Sequence, residues 1–227
     1  MEDHHRRFQE PVLFSKNDIA AAYNQCRPVA YHESVLVAGE ITATWKDAGH
    51  IFGASFIEIV SAGKFLAFSG DLGNTDMPIL KETDRLGRAD TLLIESTYGD
   101  RHHENREERF RLIRSLIEEG FRRGGTIMVP AFSIERTQEL IYHLHEMSRE
   151  KALPNMPIFL DSPMSIKAMH IYKQHPEYYD REAAAKYHLG EDFFDFPELH
   201  LTPTREESKK INAVPGPKMI IAGAGMM

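Results

Sequence analysis

The sequence predicts an α/β protein, and three observations carry that expectation. Residues Val35 to Phe68 read as β, Thr126 to His175 alternate strand and helix, and glycine or proline punctuates the joins. In the first stretch, short runs rich in Val, Ile, Thr and Phe are broken by Ala-Gly pairs, and Phe56–Val60 and Lys64–Phe68 flank Ser61-Ala62-Gly63 as a hairpin. Thr91-Leu-Leu-Ile-Glu95 is a compact apolar run ending in a carboxylate, which suits a strand buried on both faces. Beyond Gly99, Glu104–Arg123 reads as a charged helix with Phe110, Ile113, Leu116 and Ile117 on one face, closed by Gly124-Gly125. Strand Thr126–Val129 leads through Pro130 to Ser133, expected to cap a helix over Ile134–Arg149. Strand Ile158–Leu160 leads to Ser162 as N-cap, with Pro163 opening the helix Met164–His175. That rhythm implies parallel strands. Phe196–Pro217 reads as extended connections, and Lys218–Ala222 as a last strand.

The chain has 227 residues, 42% of them apolar, which allows one large domain or two modest ones with a substantial core. Cys26 is the only cysteine, so an internal disulfide and a thiolate metal cluster are both excluded. The apolar runs Thr126–Phe132 and Met219–Met227 are too short to cross a bilayer, and the charged start Met1–Arg7 lacks a secretory hydrophobic segment. A cytoplasmic protein with no membrane partner is expected. The net charge of −7 weighs against nucleic-acid binding, although a metal site can supply local positive charge. Arg101–Arg123 carries seven arginines, whereas Glu191–Glu207 is dominated by Glu and Asp. Two solvated faces of opposite sign explain this as well as a binding surface does.

Chemistry is suggested first by His50 and Asp71, one before the hairpin and one after it. Antiparallel pairing returns the chain to where it entered, so both residues meet at one open end of the sheet. Their neighbours are small, in Asp47-Ala-Gly-His50 and Ser69-Gly-Asp71, and imidazole with carboxylate suits zinc. Taken alone, a His–Asp pair is more often a structural hydrogen bond. Glu95 ends the Thr91–Ile94 strand, where functional groups of α/β sheets collect; capping, or pairing with Arg101, explains it equally. A second candidate cluster comprises Ser133, Arg136 and Ser162. Arg136 lies in the first turn of its helix, where a cation opposes the dipole. The placement makes sense if the helix end and Arg136 together bind a phosphate; a salt bridge to Glu139 is the competing account. Both serines also serve simply as caps. His143-Leu-His145 lies in a helical pattern, so its rings point about 200° apart and cannot clamp one ion. They read as surface or interface histidines, and His102 and His103 as exposed or cleft residues.

Taken in order, these segments resemble one family. Asp47-Ala-Gly-His50-Ile-Phe-Gly-Ala is similar to the third metal motif of metallo-β-lactamase-fold hydrolases, and Phe68-Ser-Gly-Asp71-Leu-Gly to the fourth. Glu95-Ser-Thr-Tyr-Gly resembles motif A of the β-CASP branch, which includes the nuclease of pre-mRNA 3′-end processing and its bacterial and archaeal relatives. Pro130-Ala-Phe-Ser-Ile-Glu-Arg136-Thr-Gln-Glu-Leu and Leu160-Asp-Ser-Pro-Met-Ser-Ile-Lys-Ala resemble segments of the inserted β-CASP domain, and Ala222-Gly-Ala-Gly-Met-Met the run before motif B. The likeness covers residues 11–227.

The resemblance implies a partial metallo-β-lactamase αββα sandwich over 1–100, an inserted β-CASP α/β domain over 101–217, and over 218–227 the start of the segment leading to motif B. It expects a His-x-His-x-Asp-His motif before residue 1 and motifs B and C after Met227, so the chain is expected to be a fragment, inactive alone. The implied chemistry is RNA cleavage, endonucleolytic or from the 5′ end, by metal-activated hydroxide attack with two zinc ions. His50 would bind one zinc, Asp71 would bridge both, and Glu95 would orient a histidine that protonates the leaving oxygen. RNA is the implied partner, and a homodimer is compatible. An inactive scaffold for RNA or protein, and a hydrolase of small substrates, stand as alternatives.

Overall fold

The computed structural model describes residues 12–75, 77–102 and 106–223. After a short helix α1 (Lys16–Tyr23), five strands form one sheet in sequential order: β1 (Ser34–Ala38), β2 (Ile41–Asp47), β3 (Ser55–Ser61), β4 (Lys64–Phe68) and β5 (Thr91–Leu93). Strands β1 to β4 run antiparallel, and β5 joins β4 in parallel. The β3–β4 turn holds Ala62 at φ 47° and Gly63 at φ 71°; two left-handed residues in a two-residue loop match the twist of the paired strands. This fixes the register in which Ile57 faces Phe68.

Beyond it lie α2 (Arg106–Arg122), β6 (Thr126–Pro130), α3 (Arg136–Arg149), β7 (Ile158–Asp161), α4 (Pro163–Gln174), a 3-10 turn (Pro176–Tyr178), α5 (Arg181–His188), β8 (Leu199–Leu201), α6 (Arg205–Ile211) and β9 (Lys218–Ala222). Their strands form a second, wholly parallel sheet in the order β6-β9-β7-β8, as the alternating pattern predicts. The core gathers here. Ile141 and Leu144 of α3, Ile158 and Leu160 of β7, Met169 of α4 and Ile221 of β9 are almost wholly buried, with Phe193 and Phe194 closing one side.

Four sequence expectations give way. Thr91–Ile94 is not buried on both faces: β5 is an edge strand, with Leu92, Leu93 and Ile94 exposed, because an apolar run shows that cover is wanted without showing what provides it. Leu116 is likewise exposed, although Ile117 beside it is buried and Phe110 and Ile113 are half-buried. Phe196–Pro217 is not merely extended, since Thr204 accepts the Glu207 N–H while the Glu207 carboxylate accepts the Thr204 N–H, a capping box that starts α6. His143 and His145 are buried rather than surface residues, because α3 is covered on opposite sides: the Phe110 ring lies 3.7 Å from His143, and Phe196 lies 5.9 Å from His145. The predicted helix start at Glu104, His103 and the residues after Gly223 lie outside the described residues.

Candidate functional site

His50 stands in the turn 48–54 between β2 and β3, which the Asp47–Ser55 pair closes. The Asp47 carboxylate accepts the Gly49 N–H at 2.8 Å, a local bond that fixes the bend. Residues 81–84 clasp the turn from outside. The Thr83 hydroxyl donates to the Ala48 carbonyl (2.8 Å), Asp84 N–H donates to the Asp47 carbonyl (2.9 Å), and the Asp84 carboxylate accepts the Asp47 N–H (2.8 Å). Burial pushes the Asp47 carboxyl above its usual range, with the Gly49 N–H opposing.

Asp71 follows β4 and reaches the same end of the sheet. The contact is made by backbone: Gly73 N–H donates to Ala48 O at 2.8 Å, and a Cβ on Gly73 would lie 1.7 Å from Gly49 O. Only glycine permits that approach. Glu95, just past β5, completes the group. Its N–H donates to the Ser69 hydroxyl (2.9 Å) and its carboxylate accepts the Leu72 N–H (2.7 Å). The Leu72 N–H, then the Thr97 hydroxyl, and more weakly the His50 charge hold Glu95 below the usual carboxylate range. Glu95 is therefore an anion that ties the Asp71 loop down. Arg101 pairs with Asp100 at 2.9 Å, so it is not the partner of Glu95. His102 is exposed.

The side chains of His50 and Asp71 make no hydrogen bond or ion pair among the described residues. In kind they fit zinc, as one imidazole and one carboxylate with lone pairs uncommitted on loops held by backbone contacts. In number they supply two of the four ligands a tetrahedral ion takes.

The second cluster lies at the carboxyl end of the parallel sheet. Ser162 caps α4 and accepts the Ser165 N–H at 3.3 Å, with Pro163 in the first turn, as expected. Ser133 does not cap α3. The helix begins at Arg136, two residues later than predicted, because Glu135 turns to φ 67° and Thr137 binds back to the Phe132 carbonyl at 2.7 Å. The Ser133 hydroxyl instead faces that of Ser162 at 3.5 Å. Arg136 is half-exposed and meets Glu139 at 2.9 Å. Behind them Glu135 is buried and accepts a hydrogen bond from Tyr172, and burial pushes its carboxyl up to about 8.

One further donor group exists among the described residues: atoms of His145, Glu146 and Glu191 lie within 4.8 Å of one another. Arg149 already reaches Glu146 at 3.3 Å and Glu191 at 3.1 Å, and Lys186 reaches Glu146 at 3.0 Å, so side-chain cations fill the place a metal would take.

The first sheet thus gathers the His50, Asp71 and Glu95 loops at one end, and the parallel layer sets the N-termini of α3 and α4 at its carboxyl edge. Residues 137–227 match the model of the Beta-Casp domain. Ribonuclease TTHA0252 of Thermus thermophilus is 34% identical over all of this chain and 52% of its own length. Endoribonuclease YSH1 of Mycosarcoma maydis is 28% identical over 95% of the chain and 24% of its own length. Transcription termination factor FttA of Methanocaldococcus jannaschii is 29% identical over 95% of the chain and 35% of its own length. The chain thus matches the Beta-Casp domain over residues 137–227, and its mixed α/β architecture with two sheets is consistent with a metallo-β-lactamase/β-CASP fold. It spans about half or less of the length of these relatives.

Proposed function

We propose that this chain forms part of the catalytic core of a zinc-dependent phosphodiesterase that cleaves RNA, endonucleolytically, from the 5′ end, or both. The observation that carries the reading is the meeting of the His50, Asp71 and Glu95 loops at one end of the first sheet, made by backbone contacts that a side chain on Gly73 would forbid. Relatives named as ribonuclease and endoribonuclease support it. We place the metallo-β-lactamase portion at 1–100, the β-CASP portion at 101–217, and in 218–227 the segment leading to the next family motif.

In this reading His50 and Asp71 hold metal, with further ligands from the His-x-His-x-Asp-His motif of the family. Zinc supplies Lewis-acid charge and lowers the pKa of water. Glu95 fixes the Asp71 loop through the Leu72 amide and would orient a family-motif histidine that protonates the leaving oxygen. Ser133, Ser162 and Arg136 hold a flanking phosphate of the RNA at the edge of the parallel sheet. A cytoplasmic setting goes with this substrate.

The test is Asp71→Ala in the full-length protein, followed by RNA cleavage and elemental analysis. The parent should hold about two zinc ions per chain. The variant should lose cleavage and zinc while keeping its far-ultraviolet dichroism, because Asp71 is exposed and packs into no core. Full cleavage by the variant would sink the metal-hydrolase reading.

A further inference from the structure

Tyr172 joins two places that the chain builds separately. Its ring lies flat on Phe52, with centroids 3.9 Å and planes 6° apart, and Phe52 follows His50 by two residues in the turn between β2 and β3. Its hydroxyl donates to the Glu135 carboxylate, and Glu135 immediately precedes Arg136, the first residue of α3. The Phe52 backbone N–H also acts on that hydroxyl. One side chain therefore touches the residue beside Arg136 and the turn that carries His50.

Packing alone does not account for this. Tyr172 and Glu135 are both buried, and a hydroxyl and a carboxyl are costly to bury where an aliphatic side chain would fill the volume. Glu135 also holds φ 67°, a conformation unfavourable for a residue with a Cβ, so its carboxyl is kept in place against local preference. A second tie runs parallel to the first. Residues 79–81 grip the segment after α4 through Asp180 N–H to Ile79 O (2.7 Å) and Lys81 Nζ to Glu177 O (2.7 Å), and residues 83–84 clasp the His50 turn.

We infer that Tyr172 and Glu135 are positioning residues that hold the His50 turn and the first turn of α3 in fixed register, so that one RNA backbone reaches both. The inference rests on the reading of those two places as metal loop and phosphate grip. Neither residue touches substrate; Tyr172 acts through Phe52, and Glu135 through Arg136.

Amide hydrogen exchange read by mass spectrometry, at one fixed pH without metal or RNA, tests it in this chain. Tyr172→Phe keeps the stacked ring and removes the hydroxyl. Exchange should rise roughly 2- to 10-fold in both 48–54 and 131–137, the range expected for one net hydrogen bond, with β7 and β9 unchanged. Glu135→Ala should reproduce both rises, and Glu135→Gln, which keeps an acceptor for the hydroxyl, should abolish them. Phe52→Leu should loosen 131–137, and Phe52→Tyr, which restores a flat ring, should tighten it again. If Tyr172→Phe does not fold, the Glu135 pair decides alone. Equal acceleration everywhere, or a change at one end only, assigns Tyr172 to core packing and overturns the inference. Such a failure leaves the nuclease reading standing, since that reading falls only with the cleavage assay on Asp71→Ala.

Discussion

Glu135 has one carboxyl oxygen bonded to Tyr172 and the other buried without a partner. Burial raises its carboxyl from 4.5 to about 8, and Tyr172 opposes that rise without cancelling it. In the window between these values the folded chain keeps the proton and the unfolded chain releases it. The stability this group contributes is therefore complete below about 4.5 and is lost as pH climbs through about 8. Asp47, also raised by burial, adds a slope of the same sign, whereas His145, lowered by burial, adds one of opposite sign. The difference between parent and Glu135→Gln isolates the one residue. The variant should gain on the parent progressively across that window, by a few kcal/mol at most, on the order of 1.4 kcal/mol for each step of one in pH. Urea midpoints measured from acid to mildly alkaline pH check this. A constant difference would mean that Glu135 is already ionised in the folded chain.

At the scale of elements, the first turn of α3 decides how the second cluster works. Arg136 opposes the helix dipole there, and its contact with Glu139 is half-exposed, a pair worth about 0–1 kcal/mol. Arg136→Ala should therefore leave the melting temperature nearly unchanged. If Arg136 meets a phosphate, the same variant should weaken RNA binding and reduce the logarithmic salt slope by about 0.7, the value for one contact on a single strand. A salt series of binding measurements, with melting curves beside it, separates the two roles; unchanged affinity with a marked melting loss would return Arg136 to the scaffold. Much of this layout was legible in advance. The Ala62-Gly63 turn set the hairpin, and the hairpin set the shared end of His50 and Asp71, because antiparallel register is local arithmetic. What escaped was non-local or obscured by composition. Nothing near Glu135 announces its left-handed backbone or its bond to Tyr172, because the partner lies in another helix. The capping box of α6 was hidden among prolines that suggested irregular chain.

At the scale of the molecule, the two sheets divide the labour. The meander sets out the His50, Asp71 and Glu95 loops, the parallel layer supplies the buried core and the helix ends, and Phe52 against Tyr172 is where they meet. The order of the parallel sheet carries a further consequence. Strand β9, the last of the described strands, lies between β6 and β7, and among the described residues β6 pairs with no other strand. On the ribosome, residues 126–130 must therefore wait with an open edge while everything up to 222 is made. At about 5–20 residues per second, synthesis from 130 to 218 takes roughly 4–18 s, long enough for an unpaired apolar strand to find a wrong partner. Shortening the chain to end before Lys218 should leave β6 without a partner and β7 with β8 alone, so the α/β layer should lose cooperative unfolding and become quickly digestible. Limited proteolysis of the shortened and intact chains measures this. A shortened chain as resistant as the intact one would mean that the layer closes without its central strand. Otherwise the final residues of β9 act as a timing gate, and nascent chains paused before them are the ones most exposed to aggregation.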